Sequence, residues 1–384
     1  MFHTRQHEFW IRYLPGLADV LDTMANTART NARRGDRVLK APTIRDVARE
    51  AGVSVAVVSR VINVGSGSVA PATRAKVVEV IDALGYRPRA AARELQLGAT
   101  TTIGLVLADL ANPFFARLAD RIVWEARSRG VHVILATTQE DPHLEAESLE
   151  TLIGRSVASV IATPTGGNIE TWQRLQRLGV HVVFVDRAID ELPDIDVVSI
   201  SNAASAELAT RKLIELGHER IAFISGPLTT STGRARLTGF RSAMDAAGLE
   251  VDERLVHPIP FRGDAGSDAV GAILALAEAP TALIVGNTAQ VRTSLRRLQQ
   301  ASVAIPGELS LVVFDDNPWT ELVSPPLSVI RQPIDMLAVH SVDLAIARMR
   351  GTITEEPRVV EVDAEFLERS SIAPPATDHR TAQD

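Results

Sequence analysis

Apolar residues along this chain follow two different periods, and the change falls near residue 100. From Thr43 to Leu84 they recur every three to four residues, the spacing that lays one stripe along an α-helix. The stretch TIRDVAREAGVSVAVVSRVIN, residues 43–63, predicts two short helices parted by Gly52. Thr43 and Asp46 have capping-box spacing, Gly52 supplies a positive-φ stop, and Ser54 stands where it caps the second helix. Ile44, Val47, Ala48 and Ala51 form the first stripe. Advancing about 100° per residue gathers Val58, Val61 and Ile62 on one side of the second helix, and Val55, Ala56, Ser59, Arg60 and Asn63 on the other. PATRAKVVEVIDALG predicts a third helix, with Val77, Val78, Ile81 and Leu84 on its stripe and Gly85 at its stop, which closes a three-helix core.

From Ile103 onward β-rich runs take over: IGLVLADL (103–110), HVILATT (132–138), ASVIATP (158–164), HVVFVD (181–186), RIAFISG (220–226), TALIVGN (281–287) and LSLVVFDD (309–316). Most are apolar on both faces, and helical stretches such as FARLADRIVWEARSRG and AELATRKLIELG separate them. That alternation predicts parallel sheets covered by helices on both sides, an α/β body. The expected organisation is a flexible N-terminal extension over 1–41, a helical head over 42–87, a short basic link over 88–100, the body over 101–370, and a polar, disordered tail over 371–384. Residues 1–41 read either as an arm that adds to DNA contact or as an unstructured extension ahead of a later start near Met24.

Charge divides along the same line. The whole chain carries a net −7, yet residues 1–98 hold 15 Lys/Arg against 9 Asp/Glu, and the remainder holds 25 against 38. A basic head on an acidic body suits a nucleic-acid partner, because phosphate attraction depends on local cationic density. Zero Cys excludes disulfides and thiolate chemistry, and the absence of a long apolar run or an export-type N-terminus predicts a cytoplasmic protein without a membrane partner. No G-x-S-x-G, H-E-x-x-H, Walker loop or complete G-x-G-x-x-G is present, and the nine His are scattered, so neither a catalytic set, a metal site nor a cofactor is expected.

The head motif, followed by VAPATRAKVVEVIDALGYRP and AARELQLGATTTIGLV, resembles the head and hinge of the LacI/GalR family of bacterial transcription regulators. The likeness continues to residue 370 through DLANPFFARL, FVDR, LIELGHERIAFISGP, RARLTGF, the DD after LSLVVF, and PPLSVIRQP. It implies an all-α helix-turn-helix head of the lambda-repressor type on a two-lobed body like the periplasmic binding proteins, its lobes joined by three crossings. It further implies a homodimer on a double-stranded operator, most simply a repressor, with a small-molecule effector between the lobes. Val55, Ala56 and Arg60 match base-contacting positions; Thr43, Ser54, Ser59, Asn63, Thr73 and Arg89 match positions that face the duplex or its phosphates; Leu95 matches the hinge wedge.

In the body, Asn112, Phe114, Phe115, Asp186, Arg236, Phe261, Asn287, Thr288 and Asp315 match or adjoin effector-contacting positions. There are departures. Val57 replaces the usual Thr, Arg89 the usual Asn, and VGSGS is one residue longer than in many members. Thr288 replaces a carboxylate that holds ligand hydroxyls, and Val313 replaces a Gly, with the expectation that it crowds the cleft. A sugar-like or anionic metabolite is therefore the expected effector, and an effector-independent regulator with a degenerate pocket, or a solute-binding receptor without DNA output, are the alternatives. The polar tail lacks apolar heptads, so no C-terminal tetramerising bundle is expected.

Overall fold

A computed structural model describes residues 42–62, 69–86, 102–354 and 356–376. The chain divides into two compact units, the first ending at Arg93 and the second starting at Glu94. In the first, α1 (Ile44–Ala51), α2 (Val55–Ile62) and α3 (Pro71–Leu84) surround a small core of Val47, Ala48, Ala51, Val58, Val61 and Val77. The Asp46 carboxylate accepts from the Thr43 backbone N–H at 2.9 Å and from its hydroxyl at 2.6 Å, which closes the free N-terminus of α1. Gly52 takes φ +66° and turns the chain, and the Ser54 hydroxyl accepts from Val57 N at 3.3 Å to start α2. Arg74 of α3 donates to the carbonyl of Val61 at 3.2 Å, so the end of α2 is held from outside the helix. The predicted stripe of α3 needs correction: Val77, Val80 and Ile81 pack, whereas Val78 and Leu84 are 45% and 37% exposed. At 14 residues α3 outruns two 8-residue partners, so its last turn has no helix among the described residues to cover it.

The second unit contains two six-stranded sheets. Its first elements are β1 (Thr102–Leu107), α4 (Pro113–Ser128), β2 (His132–Thr137), α5 (Pro142–Gly154), β3 (Ser159–Ala162), α6 (Ile169–Arg177), β4 (His181–Val185) and β5 (Asp196–Ile200). There follow α7 (Asn202–Glu215), β6 (Ile221–Ser225), α8 (Ser231–Ala246), β7 (Val256–Pro258), α9 (Ala265–Leu274), β8 (Ala282–Val285), α10 (Thr288–Gln300), β9 (Ser310–Phe314) and β10 (Ser328–Arg331). The last are α11 (Ile334–Met349), β11 (Val359–Val362) and β12 (Glu365–Leu367). One sheet has the order β11-β5-β4-β3-β1-β2 and the other β12-β10-β9-β8-β6-β7. All pairings are parallel except that of β10 with β12, whose strands run antiparallel.

The two orders repeat one pattern, so β4 and β9 occupy equivalent central places in their lobes. Between the lobes the chain passes three times: after β5, between β10 and α11, and between β11 and β12. Although α11 follows a strand of the second lobe, it packs on β3, β4, β5 and α4 of the first. The central apolar strands bury both faces as their composition predicts, whereas β2, at a sheet edge, stays half-buried to exposed: in β9, Val312 and Phe314 join one core cluster while Val313 joins the other, beside Val285 and Val329. Val313 therefore points into the sheet's outer packing and does not crowd the cleft, because strand alternation sends it away from its neighbours' face.

The start of the tail also departs from expectation. Residues 371–376 lie along the second lobe rather than being disordered. Leu311 N donates to Ser371 O at 2.8 Å, and the buried Ser371 hydroxyl donates to Leu311 O at 2.6 Å and accepts from Ser328 N at 2.7 Å. The buried His218 ring joins Ala373 O at 2.9 Å to the hydroxyls of Thr281 and Ser310. Backbone pairing that a polar composition does not advertise holds this segment.

Candidate DNA-binding face and interlobe cleft

On α2 the packed and free sides fall as the periodicity requires. Val58 and Val61 are buried, while Val55, Ala56 and Arg60 are exposed and Ser59 is half-buried. Arg60 makes no hydrogen bond or ion pair among the described residues, which leaves its five N–H donors available to an outside partner. Small side chains at the start of α2 and an unpaired guanidinium one turn on let the helix approach base edges in a groove about 12 Å wide. Ser54 and Thr43 are engaged as helix-start residues, and Thr73 lies half-buried in the first turn of α3. Asn63, Arg89 and Leu95 lie outside the described residues. The three helices themselves carry little net charge: Arg45, Arg49, Arg60, Arg74 and Lys76 face Asp46, Glu50, Glu79 and Asp82. Most of the basic excess counted over residues 1–98 therefore sits in the segments flanking the helices.

In the body, the expected effector residues converge where strands of both lobes end. Asp186 follows β4 and Asp315 follows β9, each with positive φ, +71° and +75°. Both are buried. Asp315 is fully engaged: one oxygen accepts from the Thr288 hydroxyl at 2.9 Å and the other from the Gln332 amide at 2.7 Å. Asn317 donates to the same Thr288 hydroxyl at 2.9 Å, so Thr288 relays one amide to one carboxylate. The Thr288 hydroxyl is thus committed to Asp315.

Arg236 donates to Asn202 Oδ1 at 2.8 Å and to the carbonyl of Gly286, and it lies 4.2 Å above the Phe314 ring. Burial pulls its pKa down from the ordinary arginine value, with Asp186 and Asp315 opposing. Among the described residues the Asp186 side chain accepts no hydrogen bond; its nearest cation is Arg187, whose Nε stands 3.5 Å away. Burial pushes its carboxyl up to about 6, with Arg187 and then Arg236 pulling the other way. Asn112 and Asn287 cap α4 and α10, accepting from Phe114 N and Gln290 N at 3.0 Å each. Their amide nitrogens stay unbonded within the described chain.

Residues that sequence reasoning did not single out complete the cleft. Arg187 is buried, forms a two-point ion pair with Glu140 at 2.7 and 2.8 Å, and stacks 4.4 Å from the Phe261 ring and 5.8 Å from Phe115. Its burial opposes the charge, but the bonds and charge of Glu140 win and raise its pKa. Its Nε has no acceptor within hydrogen-bond range. The available signal was its place next to Asp186 in FVDR. Because Arg187 comes from the first lobe and Phe261 from the second, this stack forms a wall across the cleft. Around it open a cavity of about 460 Å³ beside Asp186, Asn202 and Ser231, one of about 140 Å³ beside Asp315, Gln332 and Phe114, and one of about 300 Å³ beside Asn112, Phe261 and Thr288. The lobes also meet through Arg262 with Asp109 at 3.1 Å, Arg117 with Asp316 O at 3.1 Å, and Ala188 N with Ser231 Oγ at 2.9 Å.

Among the described residues no group of three His, Asp or Glu is placed to hold a metal ion, and no helix is long and apolar enough to cross a membrane. The arrangement offers hydrogen-bond acceptors and donors aimed at a buried space, which suits binding of a hydroxylated small molecule.

Comparison with known proteins agrees. Residues 43–89 match the family model for bacterial regulatory proteins of the lacI family, and residues 210–372 match that for a periplasmic binding protein-like domain. The ribose operon repressor of Escherichia coli (strain K12) is 33% identical over 330 residues, 86% of this chain and 99% of that protein. A solved complex of the transcriptional regulator CelR with cellobiose is 32% identical, with TM-score 0.66, over 86% of this chain and 99% of the other. The lac repressor dimer bound to operator and an anti-inducer shares the fold, with TM-score 0.72 at 23% identity over 87% of this chain and all of the other. With its helix-turn-helix head, its two-lobed body and relatives matched along nearly their full length, the chain belongs to the lacI family of bacterial regulatory proteins, DNA-binding transcriptional regulators rather than enzymes.

Proposed function

We propose that the protein is a cytoplasmic, homodimeric repressor that binds a pseudo-palindromic operator through two copies of α2 and is controlled by a sugar-like effector in the interlobe cleft. Arg60 reads a guanine through O6 and N7, Val55 and Ala56 lie against neighbouring base edges, and Thr43, Ser54, Ser59, Asn63, Thr73 and Arg89 position the head on the backbone. Leu95 wedges into the minor groove at the dyad. The observation that carries this reading is the unpartnered Arg60 on the exposed side of a capped second helix. In the cleft, Asp186, Arg236 and Asn287 take the effector's hydroxyls beside the already hydrogen-bonded Asp315, with Asn112 and the Phe114, Phe115 and Phe261 rings shaping the space. Selection from a randomised operator library tests the head: Arg60→Ala should relax preference at one base pair per half-site, a loss of about 1 to 3 kcal/mol of discrimination. Unchanged selection would remove Arg60 from its assigned role.

A second reading is favoured by the Arg187–Phe261 wall, which fills the middle of the cleft with the protein's own side chains. In it the chain regulates without an effector. Operator affinity that no sugar alters, joined to unaltered thermal midpoints, would select this reading.

A further inference from the structure

We propose that the cavity at the mouth of the cleft is an oxyanion subsite, which takes a phosphate or carboxylate substituent of a ligand whose hydroxyl-bearing part lies against Asp186, Arg236 and Asp315. The proposal rests on the reading of the cleft as the effector site. Two charge environments meet there. Inside, the carboxylates of Asp186, Asp315 and Glu140 surround the guanidiniums of Arg187 and Arg236, an excess of one negative charge that disfavours an anion. At the mouth, a cavity of about 300 Å³ is lined by Arg262 and Arg292 against Asp109, an excess of one positive charge.

The two mouth arginines are not equivalent. Arg262 is committed to Asp109 at 3.1 Å and to the carbonyl of Gln139 at 2.9 Å. Arg292 is exposed on α10 and makes no hydrogen bond or ion pair among the described residues. Its planar fork matches the oxygens of a phosphate or carboxylate two at a time. Pro113, Phe261 and Trp319 line the same cavity, so that the guanidinium faces an apolar wall, and the attraction is screened less than on an open surface. The mouth and the interior also share walls. Thr288 lines the cavity while bonding Asp315 at 2.9 Å, and Phe261 lines it while stacking on Arg187 at 4.4 Å. A single small ligand therefore suits both places if it turns uncharged hydroxyl donors toward the acidic interior and an anionic end toward the basic mouth.

Inorganic phosphate is the direct probe. Compared with chloride at equal ionic strength, it should raise the thermal midpoint of the full-length protein but not of Arg292→Ala; Arg292→Lys, which keeps the charge and loses the fork, should respond partly. Matched ligands then test the link to the effector: glucose against glucuronate and glucose 6-phosphate, and ribose against ribose 5-phosphate, by calorimetry. The anionic member of a pair should bind roughly tenfold tighter, and Arg292→Ala should cut that advantage below about threefold without changing affinity for the neutral sugar. Which anion gains most distinguishes a phosphate ester from a sugar acid. Equal midpoints in phosphate and chloride, or an anion advantage that survives Arg292→Ala, overturns the subsite. Phosphate that stabilises the wild type while no sugar, charged or neutral, changes operator affinity supports the subsite and overturns the effector reading on which its ligand depends.

Discussion

Asp186 and Asp315 stand at the same place in two lobes of the same strand order, both buried and both with positive φ. Their surroundings are opposite. Asp315 receives one hydrogen bond on each oxygen, from Thr288 and Gln332, and is complete without a ligand. Asp186 receives none and stays beside Arg187 at a distance where charge acts without a directed bond. The difference separates two uses of a buried carboxylate: one is part of the scaffold, the other holds unspent hydrogen-bonding capacity that a ligand's hydroxyl can satisfy. It also locates the cost of the site in the first lobe, where charge is buried ahead of any partner.

The widest break between the two should come from removing each in turn. Asp315→Ala strips the acceptor from Thr288 and Gln332 and leaves the nearby guanidiniums with less compensating charge, a loss of about 4 kcal/mol in chemical denaturation of the body. Asp186→Asn should act with the other sign. Its folded pKa of about 6 lies above the ordinary 3.8, so the proton binds the folded state more tightly. Stability linked to this group is therefore full below about pH 4 and falls as pH rises through 6. A shift of that size corresponds to about 3 kcal/mol, so Asp186→Asn should be more stable than wild type by up to about that much at pH 8, with the gap closing near pH 4. The same variant should lose sugar binding. A stability gap that does not vary with pH would show that Asp186 ionises in the folded protein as freely as in water.

Much of this molecule is legible in its sequence, and the illegible parts share a cause. Thr43, Asp46, Gly52 and Ser54 mark the helix ends of the head because caps and positive-φ stops are decided within four residues. Seven strands announce themselves as apolar runs, six of them central and one, β2, at a sheet edge. The strands that the runs do not reveal, Asp196–Ile200, Val256–Pro258, Ser328–Arg331, Val359–Val362 and Glu365–Leu367, are short, partly polar, and mostly lie at sheet edges or beside the interlobe passages. Their places depend on partners far along the chain, as β11 does on β5. Val78 and Leu84 mislead for the same reason: a stripe records periodicity, not how far the neighbouring helices reach. In the cleft, strand-end residues were readable by position, but nothing local separates Asp186 from Asp315. That distinction is written in Gln332, Thr288 and Asn317, and the Arg187 wall in Glu140 and Phe261, all brought in by tertiary folding.

The finest test of the contrast lies in one hydroxyl. Thr288 passes a hydrogen bond from Asn317 to Asp315, so its buried oxygen is both acceptor and donor. Thr288→Val keeps the shape and removes both roles, which leaves Asn317 Nδ2 without its acceptor and one Asp315 oxygen without its donor; the expected cost is about 1 to 2 kcal/mol. Thr288→Ser keeps the oxygen and loses a methyl group, for less than about 1 kcal/mol. The Ser variant carries only the cost of the lost methyl group, so the excess cost of the Val variant over it reports the relay. Measured in the background of Asp315→Ala, where the hydroxyl has lost its acceptor but still receives from Asn317, the gap between the Val and Ser variants should narrow. If they remain as far apart as in the wild type, Thr288 contributes through Asn317 or packing alone, and the built-in satisfaction of Asp315 reduces to Gln332.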